Sequence, residues 1–221
     1  EIGMWIIKTK GDPKKILELD QALANSTEWF VRETLGYLRR TFSRLDVVSR
    51  SIFAVIEPGW CFAGTLMELA LAADRSYMLD AEGGPQIALS ELNFGAYPMS
   101  NGLSRLETHY CGELPSLGKA QLFDAQEANK LGLVTSTPDD IDWEDEVRIA
   151  LEERAAFSPD ALTGMEASLR CGGPETLESK IFARLTAWQN WIFQRPNAVG
   201  PKGALKVYGT GERADFDRRR V

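Results

Sequence analysis

Apolar residues run almost unbroken through Ile2-Gly3-Met4-Trp5-Ile6-Ile7, and so short a continuous run predicts a strand buried on both faces. Lys10-Gly11-Asp12-Pro13 follows as a turn. From Trp29 to Leu45 the positions Phe30, Leu38, Phe42 and Leu45 recur at helical spacing, which predicts an amphipathic helix. Ile52-Phe53-Ala54-Val55-Ile56, stopped by Glu57-Pro58-Gly59, reads as a second buried strand. Strand, helix and strand in that order give a right-handed crossover and a parallel sheet. A buried first strand needs partners on both sides, so the pattern predicts the C-terminal portion of a longer polypeptide.

Beyond Gly64, the residues Leu66, Met67, Leu69, Ala70, Leu71, Ala72 and Ala73 predict a helix that is apolar nearly all round, closed by Asp74. Short strands are expected at Ser76–Leu79 and Gln86–Leu89, split by the turn Gly83-Gly84-Pro85. The chain then turns helical, with helices predicted over Asn101–Tyr110, Leu117–Phe123, Ala125–Lys130, Trp143–Ala156 and Pro159–Leu169. Ser158 and Pro159 supply an N-cap and a first helical proline for the last of these. A long helix from Pro174 carries Ile181, Leu185, Trp188, Trp191 and Ile192 on an apolar face and ends at Pro196. The expected class is α/β, with a core over residues 1–140 and a C-terminal helical region over 141–221.

With 221 residues, 44% of them hydrophobic, the chain can bury one sizeable core. A net charge of −7 disfavours nucleic acid as the main partner, since phosphate binding needs local positive charge. No apolar stretch approaches the ~18 residues that a membrane span requires, so a soluble, cytoplasmic protein without a membrane partner is expected. Cys61, Cys111 and Cys171 are odd in number and widely spaced, and they predict neither a disulfide framework nor a zinc site.

Two carboxylates carry the candidate chemistry. Glu68 lies in a segment that offers only Leu, Met and Ala as neighbours, and burial raises a carboxyl pKa towards the range useful for proton transfer. The plainer reading of Glu68 is an exposed stripe or a pair with Arg75. Gly64 permits close approach at the preceding turn, where the first helical N–H groups lack intrahelical acceptors and could meet a developing negative charge. Glu91 follows a strand end, where ligands collect in α/β sheets, although taken alone it reads as a solvated loop residue. His109 and Cys61 read as structural, since no ligand or nucleophile spacing surrounds either.

Taken together and in order, these segments resemble the crotonase (enoyl-CoA hydratase/isomerase) superfamily. Ile52–Ile56, Pro58-Gly59, Gly64, Glu68-Leu69-Ala70 and Asp74 are similar to the first part of its signature. Glu91, Gly95, Pro98, Gly102 and Arg105-Leu106 are similar to the second. Asp124–Ala128 with Leu131–Val134, and Arg213-Ala214-Asp215-Phe216, extend the likeness over nearly the whole chain.

The resemblance implies a crotonase-like spiral of ββα units with a C-terminal helical region. It makes Glu68 and Glu91 the catalytic pair, converging on one water-poor cleft. It places the oxyanion hole at the backbone N–H of Thr65, alternatively Gly64, and, by matching Asp20 to the family's Ala-Asp, at that of Leu17. Only Gly64 of the family's glycine run is retained here, and the turn Trp60-Cys61-Phe62-Ala63 is one residue longer than usual.

An acyl-CoA substrate, a homo-oligomer, and no metal or cofactor beyond the coenzyme A of the substrate are implied. The Pro58–Thr65 turn, the Glu91–Gly102 segment and the tail Tyr208–Arg213 look most like family members that act in aerobic benzoate breakdown. Those enzymes open the ring of an epoxidised benzoyl-CoA with water and release formate. The alternatives are hydration or isomerisation of other enoyl-CoA substrates, and a non-catalytic acyl-CoA-binding module.

Overall fold

The computed structural model describes residues 2–170 and 172–219. Its first sheet holds β1 (Met4–Ile7), β2 (Ser51–Ile56) and a later strand, Arg75–Met78, with β2 in the centre and both neighbours parallel to it. All six residues of β2 are buried, as its unbroken apolar run requires for a strand covered on both faces. β1 departs from expectation. Among the described residues it pairs with β2 alone, with Met4 opposite Ser51 and Ile7 opposite Ala54, and Trp5 and Ile6 are exposed.

Two helices separate β1 from β2: α1 (Pro13–Asn25) and α2 (Trp29–Phe42). The second is the predicted amphipathic helix; the first was not predicted, and only the turn Lys10–Pro13 at its start was read. Its start is nonetheless written in the sequence, because the Asp12 side chain accepts from the Lys14 N–H at 2.9 Å and Pro13 occupies the first helical position.

A second sheet is formed by β3 (Phe62–Ala63) and, further along the chain, Ile87–Ala88 and Leu122–Phe123. Between its first two strands lie a 3-10 turn over Gly64–Leu66, the five-residue helix α3 (Met67–Leu71) and the first sheet's third strand, β4 (Arg75–Met78). In chain order the remaining strands are β5 (Ile87–Ala88), parallel to β3, and β6 (Leu122–Phe123), antiparallel to β5. β6 lies within the predicted helix Leu117–Phe123. Gly118 and a left-handed Ala120 (φ 58°) break the helix there, and the long-range pairing with β5 takes over.

A 3-10 turn over Glu91–Phe94 follows β5, and α4 (Arg105–His109) comes after it. α4 is shorter than the predicted Asn101–Tyr110 because a Ser104/Glu107 capping box fixes its start. The chain continues through α5 (Ala125–Lys130), α6 (Trp143–Ala156), α7 (Pro159–Arg170), α8 (Leu177–Ser179), a π-helical turn over Lys180–Leu185, and α9 (Thr186–Ile192). α10 (Pro196–Val199) and α11 (Ala204–Val207) complete it. The helix expected from Pro174 thus starts at Leu177, where the Thr176 side chain caps it.

One core joins both sheets: Ile56 and Met78 from the first meet Phe62 and Ile87 from the second, with Met67, Leu89, Leu106 and Phe123 around them. Each such side chain contributes about 1.5–3 kcal/mol by leaving water. The Gly64–Leu66 and Glu91–Phe94 turns are held where the second sheet meets this core, and α1 packs on both.

Candidate functional site

Glu68 is 1% exposed and ion-paired. Arg105 Nη1 donates to its Oε2 at 2.9 Å, and Asn93 Nδ2 donates to its Oε1 at 2.7 Å. The same guanidinium reaches Asp46 Oδ1 at 2.8 Å and the Phe42 carbonyl at 2.9 Å. Burial pushes the Glu68 carboxyl above the usual carboxylate range, against the opposing pull of Arg105. Burial likewise raises Asp46 despite the same arginine. The partner expected on the plainer reading, Arg75, is replaced by Arg105, which reaches Glu68 from α4.

A second buried network lies beside Gly64. Asp20, also 1% exposed, accepts from the Thr65 N–H at 2.7 Å, the Thr65 hydroxyl at 2.6 Å and the Ser90 hydroxyl at 2.6 Å. Tyr97 OH stands 2.9 Å from the Thr65 hydroxyl, and burial, ahead of all other causes, pushes the phenol up to about 12. Gly64 has φ +50°, and a Cβ built there would stand 2.1 Å from Asp20 Oδ2. The lone surviving glycine of the turn is therefore demanded by its backbone and by the carboxylate pressed against it.

In front of this network opens a cleft of about 600 Å³. One wall is α1, through Lys14, Leu17, Glu18 and Gln21, and the other is Ser90, Glu91 and Lys119. Glu91 is 65% exposed at its side chain, and both its oxygens accept from Lys119 Nζ, at 2.9 and 2.8 Å. An ion pair so open to solvent fixes orientation more than it stabilises the fold.

Of the residues the sequence singled out, Leu17 and Glu91 meet at this cleft, and Glu68, Thr65 and Gly64 do not line it. The expected convergence of two carboxylates on one cleft is corrected: Glu68 is sealed behind Asn93 and bound to Arg105, while Glu91 faces solvent. Of the three amides expected to serve the oxyanion hole, those of Thr65 and Leu17 are already engaged. The Thr65 amide is already committed to Asp20. Leu17 is the fifth residue of α1, where a helical amide bonds the carbonyl four residues back; the acceptor-poor first turn is Pro13–Lys15.

Asp20 had served only to set the register. Its signal is the stripe Ile16, Asp20, Leu23, which places a carboxylate in line with residues that pack inward. Arg105 was singled out only by its place in the Arg105-Leu106 motif, and nothing local pointed to its partner Glu68, 37 residues away.

The arrangement offers two solvent-accessible carboxylates, Glu18 and Glu91, the second with an ammonium partner, in a cleft sized for part of a small molecule and braced by two buried polar networks.

Comparison with known proteins places the chain. It is 57% identical, over its whole length, to benzoyl-CoA-dihydrodiol lyase of Aromatoleum evansii, and spans 41% of that relative. An enoyl-CoA hydratase/isomerase from Cupriavidus metallidurans superposes with a TM-score of 0.66 at 20% identity, covering 93% of this chain and 76% of that one. An enoyl-CoA hydratase from Bacillus anthracis gives 0.64 at 18%, covering 87% and 72%. No protein-family model matches the chain. Among the described residues, no helix is long and apolar enough to cross a membrane.

Proposed function

We propose, for a chain that has the crotonase fold and is a relative of benzoyl-CoA-dihydrodiol lyase along its full length, that it serves the ring opening of an oxidised benzoyl-CoA. The reaction consumes water and releases formate and an aldehyde-bearing acyl-CoA. The observation that carries this reading is the 57% identity over the whole of this chain. Because the chain spans about two-fifths of that relative, the activity of the whole protein belongs to the proposal. A cytoplasmic setting and a homo-oligomer belong to it too, on the strength of the resemblance alone.

Within this reading Glu91 takes and returns the proton of the attacking water, because it is the acidic candidate that reaches the cleft. Lys119, bonded to both its oxygens, orients it. Negative charge developing on the thioester oxygen is met by the ammonium groups of Lys14 and Lys119 in the cleft walls. Glu68 supports the site from behind: it bonds Asn93, whose Oδ1 accepts from the Ser90 N–H at 2.8 Å, and Ser90 opens the turn that bears Glu91.

Incubation of the purified protein with the epoxide or dihydrodiol of benzoyl-CoA, followed by mass spectrometry, is expected to yield formate and the ring-opened aldehyde. Crotonyl-CoA should be left unchanged. Glu91→Gln is expected to lower turnover by about 10²-fold or more; near-normal turnover in that variant would remove Glu91 from the mechanism.

A second reading, an acyl-CoA-binding module without turnover of its own, is favoured by one observation: Arg105 and Asp20 occupy the groups that a two-glutamate centre would need free. Tight binding of benzoyl-CoA with no formate released would select it.

A further inference from the structure

We infer that Asp20 is a positioning residue, a single carboxylate that clamps the two walls of the cleft and thereby fixes where Glu91 stands. The inference rests on the reading that the cleft binds the acyl-CoA. Asp20 sits on α1, the helix that presents Leu17, Glu18 and Gln21 to the cleft, but its own side chain turns inward and is buried. Its Oδ2 receives both the Thr65 N–H and the Ser90 hydroxyl, and its Oδ1 receives the Thr65 hydroxyl. Ser90 is the cap of the Glu91–Phe94 turn: its Oγ accepts from the Leu92 N–H at 3.3 Å, and its own N–H is held by Asn93. One group thus ties α1, the Gly64 turn and the Glu91 turn together.

The chemistry of the clamp is specific to a carboxylate. Three donors converge on two oxygens, and none of them carries a charge. A carboxylate accepts at both oxygens, whereas an amide presents an N–H₂ to one set of donors and loses that contact. Gly64 leaves room for it, since any Cβ there would collide with Oδ2. Buried hydrogen bonds of this kind hold geometry closely, and a displacement of about 1 Å at a catalytic group can cost about 10²-fold in rate.

The test measures kcat and KM on the folded fraction of three variants. Asp20→Asn is expected to lower kcat by about 10-fold or more with little change in KM, as misplacement of a proton-transfer group requires. Ser90→Ala should give at least a similar loss, since it also removes the cap on Leu92, and the double variant should lose less than the product of the two, because the Asp20–Ser90 link is removed in both. A kcat unchanged per folded molecule in Asp20→Asn, or losses that multiply in the double variant, would overturn the clamp.

Glu91→Gln, measured alongside, separates the two claims. If it is inactive while Asp20→Asn is normal, only the clamp fails. If it stays active, or the unmodified protein shows no turnover, the reading of Glu91 fails instead. The clamp is then judged by amide hydrogen exchange at Leu92 and Asn93 of the Glu91 turn, which is expected to be about tenfold faster in Asp20→Asn. An unchanged exchange rate overturns it.

Discussion

Arg105 closes on Glu68 at 2.9 Å with both side chains almost wholly buried, whereas Glu91 pairs with Lys119 in the open. The guanidinium also spans to Asp46 and to the carbonyls of Phe42 and Tyr97, so α4, α3 and the end of α2 meet on one cation. Removing one partner of a buried pair strands the other in low dielectric. Arg105→Met is therefore expected to destabilise the protein by about 3–5 kcal/mol in urea titration. Adding Glu68→Leu to that variant should recover part of the loss, since the stranded charge is gone. A double variant less stable than Arg105→Met alone would show that Glu68 is held by something other than the ion pair.

How far the sequence foretold this depends on whether the cause was local. β2 was legible because a strand covered on both faces can only be written as a continuous apolar run. The fold followed from ordered motifs that each reflect a local demand, such as the glycine at Gly64. Glu68 was rightly read as desolvated, but its partner comes from another helix and no spacing rule points to it. The strand β6 was hidden for the same reason: Leu122 and Phe123 pair with residues far back in the chain, against a local pattern that resembled a helix. The burial expected at β1 was read from its continuous apolar run, which cannot say how many neighbours a strand has.

A pH effect should come from a third buried cluster. Glu166 on α7 receives the Ser51 hydroxyl, lies 3.2 Å from Arg170 and faces Asp74, which Arg170 also pairs at 2.8 Å. Arg154 donates to the same Ser51 hydroxyl. Burial first, and then hydrogen bonding to the neighbouring Asp74, raise the Glu166 carboxyl to about 7 from an ordinary value of 4.5.

The folded protein thus holds this proton more tightly than the unfolded chain does. Its stabilising contribution is complete below pH about 4.5, falls as the pH rises towards 7, and is absent above that. Urea midpoints taken between pH 5 and 8 are expected to decline through this window, after allowance for other groups, and Glu166→Gln should flatten the decline. An identical slope in the variant would assign it elsewhere.

Gly64 gives the sharpest test of the packing behind the cleft. Alanine at φ +50° pays for a left-handed backbone, and its Cβ would stand 2.1 Å from Asp20 Oδ2, forcing the carboxylate off the Thr65 amide and the Ser90 hydroxyl. The backbone cost alone is about 1–3 kcal/mol, and the displaced carboxylate adds to it. Gly64→Ala should therefore lower stability by more than the backbone accounts for. In an Asp20→Ala background the collision is gone, so the same substitution should cost less, leaving the backbone share and a 3.3 Å approach to the Ser90 Cβ. A thermodynamic cycle of the four proteins measures the difference directly. If the cost of Gly64→Ala is the same with and without Asp20, the carboxylate is free to move aside, and the close contact between positions 20 and 64 does not constrain the turn.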